Sequence, residues 1–251
     1  MRVAVVGLGL IGGSVARGLT RSGHRVVGID VPAVRRRALR ARAVAATASG
    51  VEDVVRGSDA VVLAATPEAN LRLLRRVARA ALPGLVVTDV GSVKQPICRE
   101  AARLGLAGFV GGHPMAGSEA AGFGASSPDL FRGRPWILTP GPDRALRVVR
   151  ALVRSLGARP ALLSASEHDR LVAFVSHVPQ LVAWALRSAA RADPVAARGL
   201  DLAGPGYREM TRLAGSPRGL WREILRQNRA EVVRALAALE RALDREMTSR
   251  L

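Results

Sequence analysis

Arg2-Val3-Ala4-Val5-Val6-Gly7-Leu8-Gly9-Leu10-Ile11-Gly12 is the stretch whose reading decides the fold. Valine-rich residues 2–6 form a short apolar run of the kind that makes a buried strand. The glycines interrupt it, and from Leu10 to Arg21 the apolar positions recur at helical spacing. Strand, glycine turn and helix in that order are the context a dinucleotide-phosphate fingerprint requires. Gly7 permits the tight turn, Gly9 lets a pyrophosphate approach the backbone, and Gly12 lets helix and strand pack closely. The helix then presents unpaired amides and a positive dipole end to an anion. Gly7, Gly9, Leu10, Ile11 and Gly12 are therefore the expected cofactor-binding set.

Working outward, the next apolar run, Arg25 to Ile29, is followed by Asp30. A carboxylate there accepts hydrogen bonds from the adenosine ribose hydroxyls and repels a 2'-phosphate. This favours NAD over NADP, although Arg35, Arg36 and Arg37 follow closely and carry the opposing charge. Further strands are expected at Ala60 to Ala64, Leu85 to Asp89, Gly108 to Val110, Pro135 to Thr139 and Arg159 to Leu163. Helices are expected at Pro67 to Ala81, Lys94 to Leu104 and Asp143 to Leu156. That alternation is the rhythm of a doubly wound parallel sheet, whose ligands lie beyond the carboxyl ends of the strands. Thr66 and Pro67 should border the adenosine side of such a ligand. Ser92 should approach the nicotinamide, with service as a helix N-cap as its structural alternative.

The strand pattern stops after Leu163. Ser164-Ala165-Ser166-Glu167 has the Ser-x-x-Glu spacing of a capping box. A helical half begins there, with a stripe through Leu171, Phe174, Val178, Leu181 and Ala185 and a kink expected at Pro179. One last helix, about Arg218 to Met247, repeats apolar residues at Leu220, Ile224, Val232, Leu236, Leu239 and Leu243. That stripe exceeds what a small helical half covers alone, which points to a homodimer, with packing of the helix on its own half as the alternative. The fold class is thus an α/β Rossmann-type nucleotide-binding domain over 1–163, followed by an all-α helical dimerisation domain over 164–251.

Composition narrows the function. The formal charge of +18 raises the question of nucleic acid. Lys94 is the single lysine, however, and the arginines are scattered along every helix instead of forming one block. No recognition motif accompanies them, so the expectation is a small anionic substrate, no nucleic acid and no membrane partner. Glycines interrupt the apolar N-terminus, so a signal peptide is not expected and a cytoplasmic location is. Cys98 is the one cysteine. It excludes an internal disulfide and a cysteine-rich metal site, and no metal is expected.

Gly111-Gly112-His113-Pro114-Met115-Ala116-Gly117-Ser118-Glu119 places a histidine in a glycine-framed loop downstream of the nucleotide fingerprint. Such an imidazole can accept a proton at neutral pH. His177 and Gln180, three apart on one helical face, can look into a common cleft. His168, nearer the start of that helix, reads as an N-terminal polar residue and not as a catalyst.

With these motifs in hand, the chain resembles the prephenate and arogenate dehydrogenase family over essentially its whole length. The resemblance rests on residues 7–14, Asp-Val-Gly-Ser-Val-Lys at 89–94, the His113 stretch at 111–119, Ser-His-Val-Pro at 176–179, Tyr-Arg-Glu-Met-Thr-Arg at 207–212 and Leu-Trp-Arg-Glu-Ile at 220–224. It implies NAD-dependent oxidative decarboxylation of prephenate to 4-hydroxyphenylpyruvate in tyrosine biosynthesis, or of arogenate to tyrosine. It further implies His113 as the base and Ser92 as its aligning partner. Ser118 and Glu119 would border the substrate pocket, and Arg212 would pair with a substrate carboxylate through its fixed fork of donors. Family members often carry histidine where this chain has Gln180, which bears on the choice between the keto and amino side chains. Trp221 would line the pocket or anchor the core. A β-hydroxyacid dehydrogenase shares the layout but relies on a lysine in its helical half, and here that half has none. The readings from other classes are a non-catalytic dinucleotide sensor and a nucleic-acid binder.

Overall fold

A computed structural model describes residues 1–117 and 120–249. The chain divides into two compact units, Met1–His168 and Asp169–Leu251. In chain order the first holds β1 (Arg2–Val6), α1 (Leu10–Arg21), β2 (Arg25–Ile29), α2 (Pro32–Arg40), β3 (Ala46–Ala48), α3 (Val51–Val55), β4 (Ala60–Leu63) and α4 (Pro67–Ala80). It continues with β5 (Val86–Asp89), α5 (Gln95–Arg103), β6 (Phe109–Val110), β7 (Gly112–Pro114), β8 (Pro135–Leu138), α6 (Asp143–Ser155) and β9 (Arg159–Leu162). Then α7 (Ala165–Val172) carries the chain into the helical unit.

The main sheet is parallel, in the order β3-β2-β1-β4-β5-β6. This is the Rossmann order, with its switch point between β1 and β4. The strands explain themselves by period: Val3 and Val5 pack into one hydrophobic core, while Ala4 and Val6 pack into the other. Ala60 and Val62 alternate with Val61 and Leu63 in the same way. Strands covered on both faces read as unbroken apolar runs, which is why they stand out in the sequence.

Two expectations are corrected here. The strands after Val110 do not extend the parallel sheet. β7, β8 and β9 form a separate three-stranded sheet in which β7 runs antiparallel to β8. His113 consequently lies on a strand, paired with Ile137, and not in a loop. The edge strand β3, Ala-Thr-Ala, was also invisible to pattern, because its order comes from pairing with β2 and not from propensity.

In the helical unit, a π-helical turn over Ala173–His177 precedes α8 (Val178–Ala192). The irregularity expected at Pro179 thus appears in the preceding turn, since proline withholds the amide that would bond back into it. Short helices α9 (Pro194–Arg198) and α10 (Pro205–Thr211) follow, then α11 (Arg218–Gln227) and α12 (Arg229–Thr248). The last two replace the single helix expected from the stripe. The break is Asn228, whose buried amide donates to Asp169 O at 2.8 Å and meets His177 Nδ1 at 3.1 Å. A continuous helix would have left those groups to other partners. Among the described residues, no helix is long and apolar enough to cross a membrane.

Candidate active site

At the switch point, Gly7 adopts φ +94°, and a Cβ there would lie 2.5 Å from Ala64 O. A Cβ on Gly12 would lie 1.9 Å from Gly7 O. Both positions therefore demand glycine, one for the turn and one for helix–strand contact. Gly9 differs: a Cβ there would meet open space. It is the N-cap of α1 and no side chain caps that helix. The open backbone at Gly9 and the uncapped first turn bearing Leu10 and Ile11 fit a pyrophosphate. Asp30 accepts from Leu8 N at 2.6 Å and from Val31 N at 2.7 Å, so its carboxylate is fixed at the end of β2 beside the glycine turn.

At the end of β4, Thr66 is the exposed N-cap residue of α4 and Pro67 is buried at its first turn. Asn70, one turn later, is buried and its Oδ1 accepts from Ala65 N at 3.0 Å. It holds the turn that carries Thr66, a role no short-range pattern announced.

Ser92 is not a helix cap. α5 starts at Gln95 with Lys94 at the N-cap position, so Ser92 lies in the loop after β5. That loop is locked by a buried ion pair. Lys94 and Asp89 are 0% and 1% exposed at their side chains, and the Lys94 ammonium donates to the Asp89 carboxylate. The same pair grips the residue before His113: Lys94 Nζ donates to Gly112 O at 2.8 Å, and Gly112 N donates to Asp89 Oδ1 at 3.1 Å. Gly91 N donates to Asp89 Oδ2 at 2.8 Å. The loop bearing Ser92 and the strand bearing His113 are thereby tied to one buckle. Its signal in the sequence was a lone lysine in a chain that otherwise uses arginine.

His113 itself is half-buried, and its Nδ1 lies 2.8 Å from Nε2 of His168. His168 is fully buried. This corrects the reading of His168 as a terminal polar residue: it starts a helix, but it faces inward against the candidate base. The capping box does form, with Ser164 N donating to Glu167 Oε2 at 2.9 Å and Glu167 N to Ser164 Oγ at 3.2 Å. The Ser164 bonds hold the Glu167 carboxyl below its usual range. Ser118 and Glu119 lie outside the described residues.

In the helical unit, His177 and Gln180 are both fully buried. The His177 ring stands edge-on to Trp221 with centroids 6.0 Å apart, and Trp221 likewise meets Trp184 at 6.3 Å. Gln180 Nε2 donates to Leu213 O at 2.7 Å. Arg212 is exposed and opens a 3-10 turn, Arg212–Gly215, directly after α10. Among the described residues, no group of three or more His, Cys, Asp or Glu side chains is arranged to hold a metal ion.

Residues 15–162 match the family model described as prephenate dehydrogenase, nucleotide-binding domain, and residues 164–249 match prephenate dehydrogenase, dimerization domain. The chain belongs to the prephenate dehydrogenase family. A prephenate dehydrogenase of Bacillus subtilis (strain 168) is 32% identical over 266 aligned positions, covering 98% of this chain and 69% of the relative. The structure of a prephenate dehydrogenase from A. aeolicus in complex with hydroxyphenyl propionate and NAD+ superposes with a TM-score of 0.91 at 30% identity. It is covered over 91% of its length and covers 100% of this chain. A Synechocystis arogenate dehydrogenase gives a TM-score of 0.88 at 30% identity, over 99% of this chain and 91% of its own. The protein is accordingly a dehydrogenase of the prephenate dehydrogenase family, with a nucleotide-binding Rossmann half and a helical half.

Proposed function

We propose that this protein oxidises and decarboxylates prephenate to 4-hydroxyphenylpyruvate with NAD as acceptor. The observation that carries the reading is the buckle of Asp89 and Lys94, which holds the loop of Ser92 and the strand of His113 together in a family member. When bound, the nicotinamide supplies the hydride acceptor. Everything else falls to the chain's own residues. The α1 N-terminus binds the pyrophosphate, and Asp30 takes the ribose hydroxyls. Thr66 and Pro67 border the adenosine. His113 Nε2 takes the proton of the ring hydroxyl, which Ser92 aligns. Such base assistance contributes about 100-fold to 10,000-fold. Arg212 supplies a guanidinium for a substrate carboxylate, and His177, Gln180, Ser118 and Glu119 complete the substrate set.

Arogenate is the second reading, and Gln180 favours it. With its Nε2 committed to Leu213, its buried Oε1 has no hydrogen-bond partner. An acceptor of that kind suits an ammonium and not a ketone. We further infer a homodimer through the helical unit, supported by the family model of that half and by exposed apolar residues there such as Phe174, Val175, Leu220 and Leu243. The reaction is placed in the cytoplasm, where the dissociable nicotinamide cofactor is available.

The test is a steady-state assay with prephenate and arogenate, each with NAD and NADP. Reduced cofactor should form fastest with prephenate and NAD, and failure of all four combinations refutes the reading. His113→Asn should mainly lower kcat, whereas Arg212→Ala should mainly raise KM.

A further inference from the structure

His168 is the one fully buried imidazole in contact with the candidate base, and its placement is built from the sequence upward. Ser164 and Glu167 cap the start of α7 reciprocally, and His168 N donates to Ser164 O at 2.9 Å, closing the first helical turn. This aims the His168 ring at His113. The centroids lie 5.1 Å apart with the planes at 69°, and the facing atoms are His113 Nδ1 and His168 Nε2 at 2.8 Å. On the other side, β7 holds the His113 backbone against β8, and the Asp89–Lys94 pair grips Gly112.

Two imidazole nitrogens at that distance share one hydrogen, so one ring donates and the other accepts. Resting on the reading of His113 as base, the tautomer follows. A base that takes a hydroxyl proton at Nε2 carries its own hydrogen on Nδ1, and that hydrogen points at His168 Nε2. We infer that His168 is a positioning residue that fixes His113 in the Nδ1–H tautomer and accepts a charge-assisted hydrogen bond from the imidazolium formed in the reaction. The proton balance is simple: the substrate O–H breaks, the new N–H forms on His113 Nε2, and the Nδ1–H bond to His168 strengthens without moving. A carboxylate in this place would raise the base's proton affinity more than a neutral imidazole does. Charging both rings would set two donors and two like charges face to face, so uptake of a second proton is opposed by the first. Asp89 and Lys94 compensate each other behind Gly112, and Glu167 and Asp169 flank His168 on α7.

The test compares wild type with His168→Leu, His168→Gln and the double variant carrying His113→Asn. In ligand-free wild-type protein, nitrogen-15 spectra of the imidazoles should show His113 as the Nδ1–H tautomer at pH 8. In His168→Leu that signature should move toward Nε2–H. The kcat of that variant should fall roughly 10-fold to 100-fold, the scale for losing an orienting partner, with KM within about twofold. The acid limb of its kcat/KM profile should move to lower pH, because the imidazolium has lost its acceptor. His168→Gln, whose Oε1 can accept, should recover most of the rate. In the His113→Asn background, His168→Leu should change kcat by less than about twofold, since its effect runs through His113. An unshifted tautomer and pH profile, or multiplying effects in the double variant, would overturn the inference. If His168→Leu fails to fold, the wild-type spectrum and His168→Gln decide it. A wild type inactive with every substrate and cofactor would instead overturn the functional reading, while the spectra still judge the tautomer.

Discussion

Replacing Lys94 with Met tests whether the buried pair is the mechanical centre of the site. Methionine keeps the length and apolar body of the side chain and deletes the ammonium. Asp89, 1% exposed, would then keep its backbone donors Gly91 and Gly112 but lose its compensating charge, and Gly112 O would lose a 2.8 Å bond. Breaking a buried pair from one side costs about 3–5 kcal/mol. At roughly 2–4 °C per kcal/mol for a chain of this size, the unfolding midpoint should drop by about 6–20 °C. Because Gly112 adjoins His113, kcat should also fall, by up to about 100-fold if the imidazole drifts by an ångström. Differential scanning calorimetry on Lys94→Met, Asp89→Asn and the double variant gives the decisive pattern. Neutralising both partners removes the stranded charge, so the double variant should be at least about 1.5 kcal/mol less destabilised than the sum of the singles. Additive effects, or a Lys94→Met protein within about 1 kcal/mol of wild type, would refute the reasoning.

Three further outcomes follow from the same geometry. Gly12→Ala places a methyl 1.9 Å from Gly7 O and should both destabilise the protein and abolish NAD binding, whereas Gly9→Ala points into open space and should leave the midpoint nearly unchanged while weakening NAD in a calorimetric titration. Glu100, held down to about 2 chiefly by Arg103 and Arg75, and Glu52, held to about 2 by Arg76, have folded values below the ordinary 4.5. Their contribution is therefore present above pH 4.5 and lost as pH falls toward 2, so unfolding midpoints should decline across that window and decline less in a Glu52→Gln, Glu100→Gln variant. Asn228→Ala removes the side-chain bonds to Asp169 O and His177 Nδ1 and should cost about 1–3 kcal/mol in denaturant unfolding, with little change expected if the helix break is incidental.

The parts of the structure that were legible in the sequence are those governed by short-range rules. β1 and α1 followed from a valine run, three glycines and helical spacing, and the Ser164–Glu167 cap followed from its own spacing. The place of Asp30 beside the glycine turn was legible because a strand end fixes where its carboxylate goes. What escaped was decided by partners distant in the chain. Asn228 breaks the last helix in order to reach Asp169 and His177, and no periodicity in 218–247 encodes those two groups. The separate sheet of β7, β8 and β9 begins at a Gly-Gly step that looks locally like any turn. His168 looked like a polar residue at a helix start because the sequence shows its helix and not the ring of His113 across from it. The buckle was half visible, since Asp89 and Lys94 sat in a motif noted for Ser92. Their pairing depends on Gly112, which only the fold brings to them.

The central claim is that this site removes hydride and carbon dioxide from prephenate in one turnover with NAD. The most direct measurement is product stoichiometry: purified protein, prephenate and NAD, with reduced cofactor, carbon dioxide and 4-hydroxyphenylpyruvate quantified together. The account predicts equal amounts of all three, and their loss together in His113→Asn. Reduced cofactor without carbon dioxide, or undiminished turnover without His113, would contradict it.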